Sequence, residues 1–143
     1  MRLLTLALAA SLAACSSASD GPVTEAGSLD ASDRTLQSGE YFDQYRVTAS
    51  EDQWIRVEVT AEAFDPYLIV RSPSGVQSDV DDSESGNTTT TTSVIRASEG
   101  GRWDVIVTSY APGGTGSYSV TYEVTDVMPE GAAPRGPDST IAA

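Results

Sequence analysis

The stretch QWIRVEVTA (residues 53–61) alternates strictly between apolar and polar side chains. Ile55, Val57 and Val59 fall on one side of an extended chain, whereas Trp54 and Arg56 fall on the other. A period of two residues is typical of a β-strand that has one buried face and one face in water. This stretch therefore predicts an antiparallel sheet.

The same alternation recurs on both sides of this stretch. It is found in YFDQYRVTA (41–49), GRWDVIVTS (101–109) and GSYSVTYEV (116–124). The segment PYLIVRS (66–72) is apolar on both faces, as in a central strand that is covered on both sides, and the threonine run at 88–92 suits an extended chain. Turn residues such as Ser74-Gly75 separate these segments, and no stretch has a helical period. The pattern predicts an all-β sandwich of about seven to nine strands.

The charge and the missing residue types narrow the function. The chain of 143 residues has a net charge of −13, which repels nucleic-acid phosphates, so we expect no nucleic-acid partner. It has no His and no Lys, and its single Cys cannot form an intrachain disulfide. His is the commonest transition-metal ligand and the usual base beside a catalytic nucleophile. We therefore expect neither a transition-metal site nor an enzyme.

The first fifteen residues resemble a bacterial lipoprotein signal peptide. Arg2 precedes an apolar run too short to span a bilayer, and the run ends in Leu-Ala-Ala-Cys at residues 12–15. The resemblance implies removal of residues 1–14, lipidation of Cys15 and anchoring in the cell envelope, at the outer membrane if the organism is Gram-negative. Two or three acyl chains anchor a protein stably, whereas a single chain binds only marginally. The alternative is an ordinary signal peptide in which this Cys has no such role.

Composition divides the rest of the chain into three parts. Residues 15–28 are small and polar after Cys15, which predicts a flexible tether. Residues 29–126 contain all the alternating stretches and are the predicted domain. Residues 127–143 are rich in Pro, Gly and Ala, which predicts a disordered tail.

Five phrases of the predicted domain resemble the bacterial pre-peptidase C-terminal domain family. They are SGEYFDQYRVTA (38–49), QWIRVEVTA (53–61), FDPYLIVRSPSG (64–75), the pair Asp81-Asp82, and GGRWDVIVTSYAPGGTGSYSVTYEV (100–124). The resemblance implies a jelly-roll-like β-sandwich with an accessory, non-catalytic role beside exported enzymes. Some relatives bind calcium, and others bind collagen or polysaccharide. In contrast to the usual context, we expect this domain to act without a peptidase domain of its own, and Val80 stands where the family often has Asn.

Acidic residues bracket the apolar segment and raise the question of a calcium site. Calcium takes six to eight oxygen ligands, mostly from carboxylates and carbonyls. The candidate ligands are Asp43, Asp65, Asp81 and Asp82, which converge if the last two fold back over one end of the sandwich. The alternative is that Asp65, directly before Pro66, and the other acids belong to ordinary turns. No other cofactor is expected.

Trp54 is the candidate ligand-binding aromatic residue, because it lies on the polar face of its strand. Two functions remain open at this point. The first is a non-catalytic, lipid-anchored binding module that recognises a protein or a polysaccharide. The second is a structural or assembly-assisting envelope lipoprotein that serves an exported enzyme and has a stabilising calcium site.

Overall fold

The computed structural model describes residues 21–80 and 88–130, and every regular element in them is a β-strand. Eight strands follow in chain order: β1 (Val23–Leu29), β2 (Phe42–Ala49), β3 (Trp54–Ala61), β4 (Pro66–Arg71), β5 (Gln77–Val80), β6 (Thr90–Arg96), β7 (Gly101–Ser109) and β8 (Gly116–Thr125). Within this part of the chain, no helix has the length and apolar character needed to cross a membrane. The predicted all-β class and strand number are confirmed.

The strands form two antiparallel four-stranded sheets that pack face to face. The first sheet has the order β1-β8-β3-β6, and the second has the order β2-β7-β4-β5. Only β4 and β5 are consecutive strands paired within one sheet; the chain otherwise crosses from one sheet to the other at each step. This is the strand order of a jelly roll, so the predicted jelly-roll-like sandwich is confirmed as well.

The core lies between the sheets and consists of the apolar residues that the alternation singled out. On β3, Ile55, Val57 and Val59 are 0% exposed. On β7 in the opposite sheet, Val105 and Val107 are also 0% exposed. Each such side chain contributes about 1.5–3 kcal/mol relative to an exposed one, which makes this interface the main source of stability.

The structure corrects the predicted start of the domain. Residues 23–28, which the sequence assigned to the tether, belong to β1, and β1 pairs with β8 from Val23↔Tyr122 to Leu29↔Gly116. The small residues of β1 offer little hydrophobic pattern, and the backbone of β8 supplies the hydrogen bonds that make them a strand. The domain therefore begins with β1, six residues before the predicted boundary at Leu29.

One turn closes the β4–β5 hairpin and explains a glycine. Ser74-Gly75 connects β4 to β5, and Gly75 has a φ of 93°, in the left-handed region that other residues adopt only with strain. The Ser72 nitrogen donates to the Val76 oxygen at 2.8 Å, and the Gly75 nitrogen donates to the Ser72 oxygen at 2.9 Å. The predicted turn is thus a tight reversal at one end of the second sheet.

Candidate binding surface

Asp43, the first predicted calcium ligand, lies between the two sheets. It pairs in register with the fully buried Val107 and shares its inward direction with Val47. The Tyr118 hydroxyl donates to Asp43 Oδ2 at 2.6 Å. A strand position that normally holds an apolar side chain is therefore occupied by a carboxylate with a partner inside the sandwich.

Asp65, the second predicted ligand, lies away from Asp43. It directly precedes β4, and its backbone oxygen accepts a hydrogen bond of 2.9 Å from the Tyr110 nitrogen. Strand β7 separates β2 from β4, and Asp43 is level with Leu68 because both pair with Val107. With ~3.3 Å per residue along a strand and ~4.8 Å between strands, the two Asp Cα atoms are about 14 Å apart. Calcium ligands lie about 2.5 Å from the ion, so two Asp side chains at that separation do not share one ion directly.

The remaining predicted residues, Asp81, Asp82 and Cys15, lie outside the described residues. Within residues 21–80 and 88–130, no three His, Cys, Asp or Glu side chains come together as a metal site. The calcium site therefore stays a prediction, and its ligand set depends on Asp81 and Asp82.

Asp43 is part of a chain of hydrogen bonds that links the two sheets. The single proton of the Tyr118 hydroxyl goes to Asp43, so the Tyr45 hydroxyl donates to the Tyr118 oxygen, at 2.6 Å. Burial raises the pKa of Tyr118, and its hydrogen bond to Asp43 raises it further. Burial also raises the pKa of Tyr45. Gly27 on β1 lies against the Tyr118 ring, where a Cβ atom would overlap it. We call Asp43, Tyr45 and Tyr118 the tyrosine network.

A groove opens beside this network, where the edges of β1 and β2 face each other. Its volume is about 460 Å³, and its lining consists of Glu25, Arg34, Gln44, Tyr45, Arg46 and Tyr122. The Tyr122 hydroxyl donates to Glu25 Oε1, and this bond is the main reason that the pKa of Tyr122 rises to about 12. The groove is thus largely lined by groups that already have partners within the fold.

Trp54 occupies the position that the sequence predicted, on the outer face of the first sheet. It lies between Thr125 of β8 and Arg96 of β6 in register, and it is partly exposed. The other outward positions of this sheet are rich in hydroxyl groups. They include Thr24 and Thr121, whose Oγ1 atoms are 2.9 Å apart. This face presents one large aromatic ring beside a polar, hydrogen-bonding sheet surface.

The outer face of the second sheet differs, because it combines aromatic rings with guanidinium groups. We call it the Arg–aromatic face and define it by Arg34, Phe42, Arg46, Tyr67, Arg71 and Tyr110. The Arg34 guanidinium carbon lies 4.7 Å from the centre of the Phe42 ring. The Tyr67 and Tyr110 ring centres are 6.4 Å apart, and Tyr110 is 60% exposed.

Strand order places an apolar pair at the centre of this face. Ile69 of β4 and Ile106 of β7 are paired in register and point away from the core, yet they are only 7% and 4% exposed. In the same row, Gln44 pairs with Ile106 and Asp79 pairs with Ile69. The centre of this sheet surface is thus closely packed, and the longer aromatic and basic side chains lie around it.

The Arg–aromatic face is positive on a protein that is otherwise strongly negative. Six arginines are in the described residues; three of them, Arg46, Arg71 and Arg102, take outward strand positions on this sheet, and a fourth, Arg34, lies over Phe42. The outward strand positions of the same sheet carry two acids, Asp79 and Asp104, and Asp104 pairs with Arg46 at 3.3 Å. On the outward strand positions, three positive charges therefore stand against two negative ones, whereas the whole chain has a net charge of −13.

The sequence carried one signal for this face and lacked the rest. Segment 66–72 is apolar on both sides, which predicted a central strand that is covered on both faces. Arg46 and Arg71, however, lie 25 residues apart in the chain. They are neighbours of the same residue, Asp104, only because β7 lies between β2 and β4.

Comparison with known proteins supports the fold. No family model matches the chain, and no curated protein matches its sequence. Among solved structures, PliG of Salmonella Typhimurium, a periplasmic lysozyme inhibitor of g-type lysozyme, matches 73% of this chain and 92% of its own, with 18% identity and a TM-score of 0.51. PliG of Aeromonas hydrophila, also an inhibitor of g-type lysozyme, matches 73% of this chain and 87% of its own, with 12% identity and a TM-score of 0.54.

A third similar structure is the pre-peptidase C-terminal domain of a collagenase from Bacillus anthracis. It matches 71% of this chain and 88% of its own, with 18% identity and a TM-score of 0.52. The resemblance to that family is therefore supported at the level of the fold. At these identities the comparisons establish a shared sandwich architecture.

Proposed function

We propose that this protein is a non-catalytic binding module of the cell envelope, and that it docks a protein partner on the Arg–aromatic face. The observation that carries the proposal is the clustering of Arg and aromatic side chains on one firm sheet surface. Tyr, Phe and Arg are enriched in protein interfaces, and Tyr and Arg are frequent among the few residues that carry most of the binding energy. The fold neighbours support it, since two of them are inhibitors of an enzyme and the third is a pre-peptidase C-terminal domain of a collagenase.

The chemistry of the face indicates the chemistry of the partner. Exposed guanidinium groups at Arg34 and Arg46 favour carboxylates, which they bind with a planar fork of N–H donors. Tyr110 offers a large exposed ring that can anchor an apolar side chain of the partner. The partner surface therefore presents carboxylates beside an apolar side chain. The negative charge elsewhere on this protein repels that surface and so orients the encounter.

The residue types of this chain do not support catalysis. The whole chain has neither His nor Lys, so a Ser or Cys nucleophile would lack its usual base. The tyrosine network does not supply a base, because the Tyr45 and Tyr118 hydroxyls have raised pKa values and donate hydrogen bonds within the fold. Tyrosines with raised pKa values stay protonated and act as structural donors at neutral pH.

Site-specific photo-crosslinking in intact cells tests the proposal. A photoreactive phenylalanine replaces Tyr110 on the Arg–aromatic face or, as the control, Val127, which is 73% exposed beyond the end of β8. We expect a discrete protein adduct from position 110 that is absent from position 127. Combining the probe with Arg46→Glu and Arg71→Glu should reduce the adduct at least tenfold. Equal adducts from both positions, or none from position 110, would contradict the assignment of this face.

A purified g-type lysozyme is the first defined partner to test, because two fold neighbours inhibit that class of enzyme. Lysis of peptidoglycan by the lysozyme is followed with and without the protein, and binding is measured by calorimetry. Inhibition that Arg46→Glu weakens would identify the partner class. Full lytic activity at a large excess of the protein would exclude it and leave partner identification to the crosslinking.

We also propose that the protein is held at the membrane by lipid on Cys15, on the basis of the signal-like segment that ends at this residue. Metabolic labelling with a clickable fatty acid should label the wild type and leave Cys15→Ser unlabelled. The same label on Cys15→Ser would contradict the anchor.

The alternative ligand is a polysaccharide bound at Trp54. Its support is the partly exposed ring on a hydroxyl-rich sheet face, opposite the Arg–aromatic face. Trp54→Ala should abolish binding on a glycan array and leave the Tyr110 crosslink unchanged. The other alternative, an assembly-assisting lipoprotein with a stabilising calcium site, predicts the calcium response given in the Discussion.

A further inference from the structure

The sandwich has four edge strands, β1, β2, β5 and β6, and the backbone edge of β1 is open along its whole length. Native sheets usually guard their edges with charges, proline, bulges, short strands or covering segments. β1 pairs with β8 over seven consecutive residues, from Val23↔Tyr122 to Leu29↔Gly116, without a bulge. It contains no Pro, Lys or Arg, and among the described residues no backbone hydrogen bond reaches its other side.

The other edges each carry a guard. At the start of β2, the Phe42 nitrogen donates to the Arg34 oxygen at 3.0 Å, and β2 carries the charged Arg46 in its middle. β5 is only four residues long. β6 ends in Arg96, which is paired with Asp52 at 3.0 Å. The single charge on β1 is Glu25, whose carboxylate is held by the Tyr122 hydroxyl of its own sheet.

We propose that β1 pairs with β1 of a second copy of this chain, antiparallel and centred on Ala26, so that the two first sheets form one continuous eight-stranded sheet. A two-fold axis at Ala26 sets each residue of β1 opposite a defined residue of the other copy. The pairs are Ala26–Ala26, Glu25–Gly27, Thr24–Ser28 and Val23–Leu29. This proposal rests on an edge of the first sheet, whereas the Arg–aromatic face belongs to the second; the two adjoin at the groove that Glu25, Arg34 and Arg46 line.

The sequence of β1 fits this pairing with itself. Glu25 meets Gly27 rather than a second Glu25, so no like charges lie directly opposite each other. Thr24 meets Ser28 on the outer face and extends the hydroxyl pair that Thr24 already forms with Thr121. Val23, one of the few exposed large apolar side chains in the described residues at 41%, comes beside Leu29. Pairing between two identical strands needs such self-complementarity, whereas pairing with a strand of another protein does not.

The net charge of −13 per chain opposes this association, so it should strengthen as salt screens the repulsion. The edge hydrogen bonds are short-ranged and little affected by salt. We therefore expect the apparent dissociation constant to fall several-fold between about 0.05 M and 0.5 M salt, where the Debye length shrinks from ~14 Å to ~4 Å.

Cysteine crosslinking of the full-length protein in its membrane tests the register. In the proposed dimer, Ala26 faces Ala26 with Cα atoms about 4.5–5.5 Å apart, within reach of a disulfide. The matched control is Thr24→Cys, on the same face of the same strand, because the two Thr24 Cα atoms would be about 14 Å apart. We expect oxidation to convert Ala26→Cys into a covalent dimer and to leave Thr24→Cys at the wild-type level, with the native Cys present in both.

A second variant tests the association itself. Ala26 is exposed, so Ala26→Lys should keep the fold and its thermal midpoint, but it sets two ammonium groups against each other at the axis. Sedimentation of the detergent-solubilised full-length protein should show a dimer for the wild type and at least tenfold weaker association for Ala26→Lys. A wild type that stays monomeric at every concentration and salt level, a dimer that persists in Ala26→Lys, or equal crosslinking of Ala26→Cys and Thr24→Cys would each overturn the proposal.

Discussion

Replacing Tyr118 with phenylalanine removes a single hydroxyl group from the centre of the tyrosine network. In the folded protein this hydroxyl donates to Asp43 Oδ2 at 2.6 Å and accepts from Tyr45 at 2.6 Å. The ring itself is 4% exposed and packs edge-to-face on Phe64, with centres 6.2 Å apart. The substitution leaves that packing in place, so its effect reports the hydrogen bonds.

The magnitude follows from what each partner loses. A hydrogen bond to a charged group contributes about 1.5–3 kcal/mol, and the Asp43 carboxylate between the sheets loses this donor. The Tyr45 hydroxyl is only partly buried, so water can replace much of its lost acceptor and the cost there is about 0–1 kcal/mol. We therefore expect Tyr118→Phe to lower the free energy of unfolding by about 2–3 kcal/mol.

Urea unfolding at pH 7, followed by tryptophan fluorescence, measures this change. The control is Tyr122→Phe, the same change on the same strand, where the lost bond goes to the exposed Glu25 and we expect a cost below about 1 kcal/mol. A double-mutant cycle of Tyr118→Phe with Asp43→Asn should give a coupling energy of about 1–2 kcal/mol.

Two results would refute this reasoning. The first is a cost for Tyr118→Phe below about 0.5 kcal/mol, which is the usual range for surface substitutions. The second is equal costs for the changes at Tyr118 and Tyr122, which would mean that burial of Asp43 adds nothing to the strength of its hydrogen bond.

Three further predictions follow from the same region and from the acidic residues. Gly27→Ala should cost about 1–3 kcal/mol in urea unfolding, because the new Cβ overlaps the Tyr118 ring, and an unchanged midpoint would contradict this overlap. The pKa of Tyr122 is raised from 10.0 to about 12, so the stabilisation by its hydrogen bond is complete below pH 10 and is lost as the pH rises through about 12. Over this pH range, the unfolding midpoint of Tyr122→Phe should therefore fall less steeply than that of the wild type. Equal slopes for the two proteins would count against the hydrogen bond between Tyr122 and its carboxylate partner. After treatment with chelator, millimolar calcium should raise the thermal midpoint of the full-length protein, because binding adds about 2.7 kcal/mol to the free energy of unfolding at a hundredfold excess over Kd. Substituting Asn for both Asp81 and Asp82 should abolish this rise. A wild-type midpoint that does not respond to calcium would mean that these residues only form turns.

Much of the fold could be predicted because alternation is a local property of each strand. In QWIRVEVTA, a period of two residues puts Ile55 and Val59 on one side whatever the strand pairs with, and both are fully buried. β1 was missed for the same reason: Ala26, Gly27 and Ser28 carry no apolar pattern, and only the backbone of β8 makes them a strand. The placement of Trp54 on an outer face was predicted correctly, whereas its role in binding stays a prediction.

The candidate sites depended on contacts that local patterns do not contain. By itself, the sequence determined the all-β class, the inward face of the core strands and the exclusion of His- or Lys-based chemistry. The tertiary structure decided that β7 lies between β2 and β4. That order separates Asp43 from Asp65 and brings Arg46 and Arg71 onto one face. The physical reason is that strands are joined by backbone hydrogen bonds, which are nearly the same for every residue, so the order of strands is set by the packing of the whole sandwich.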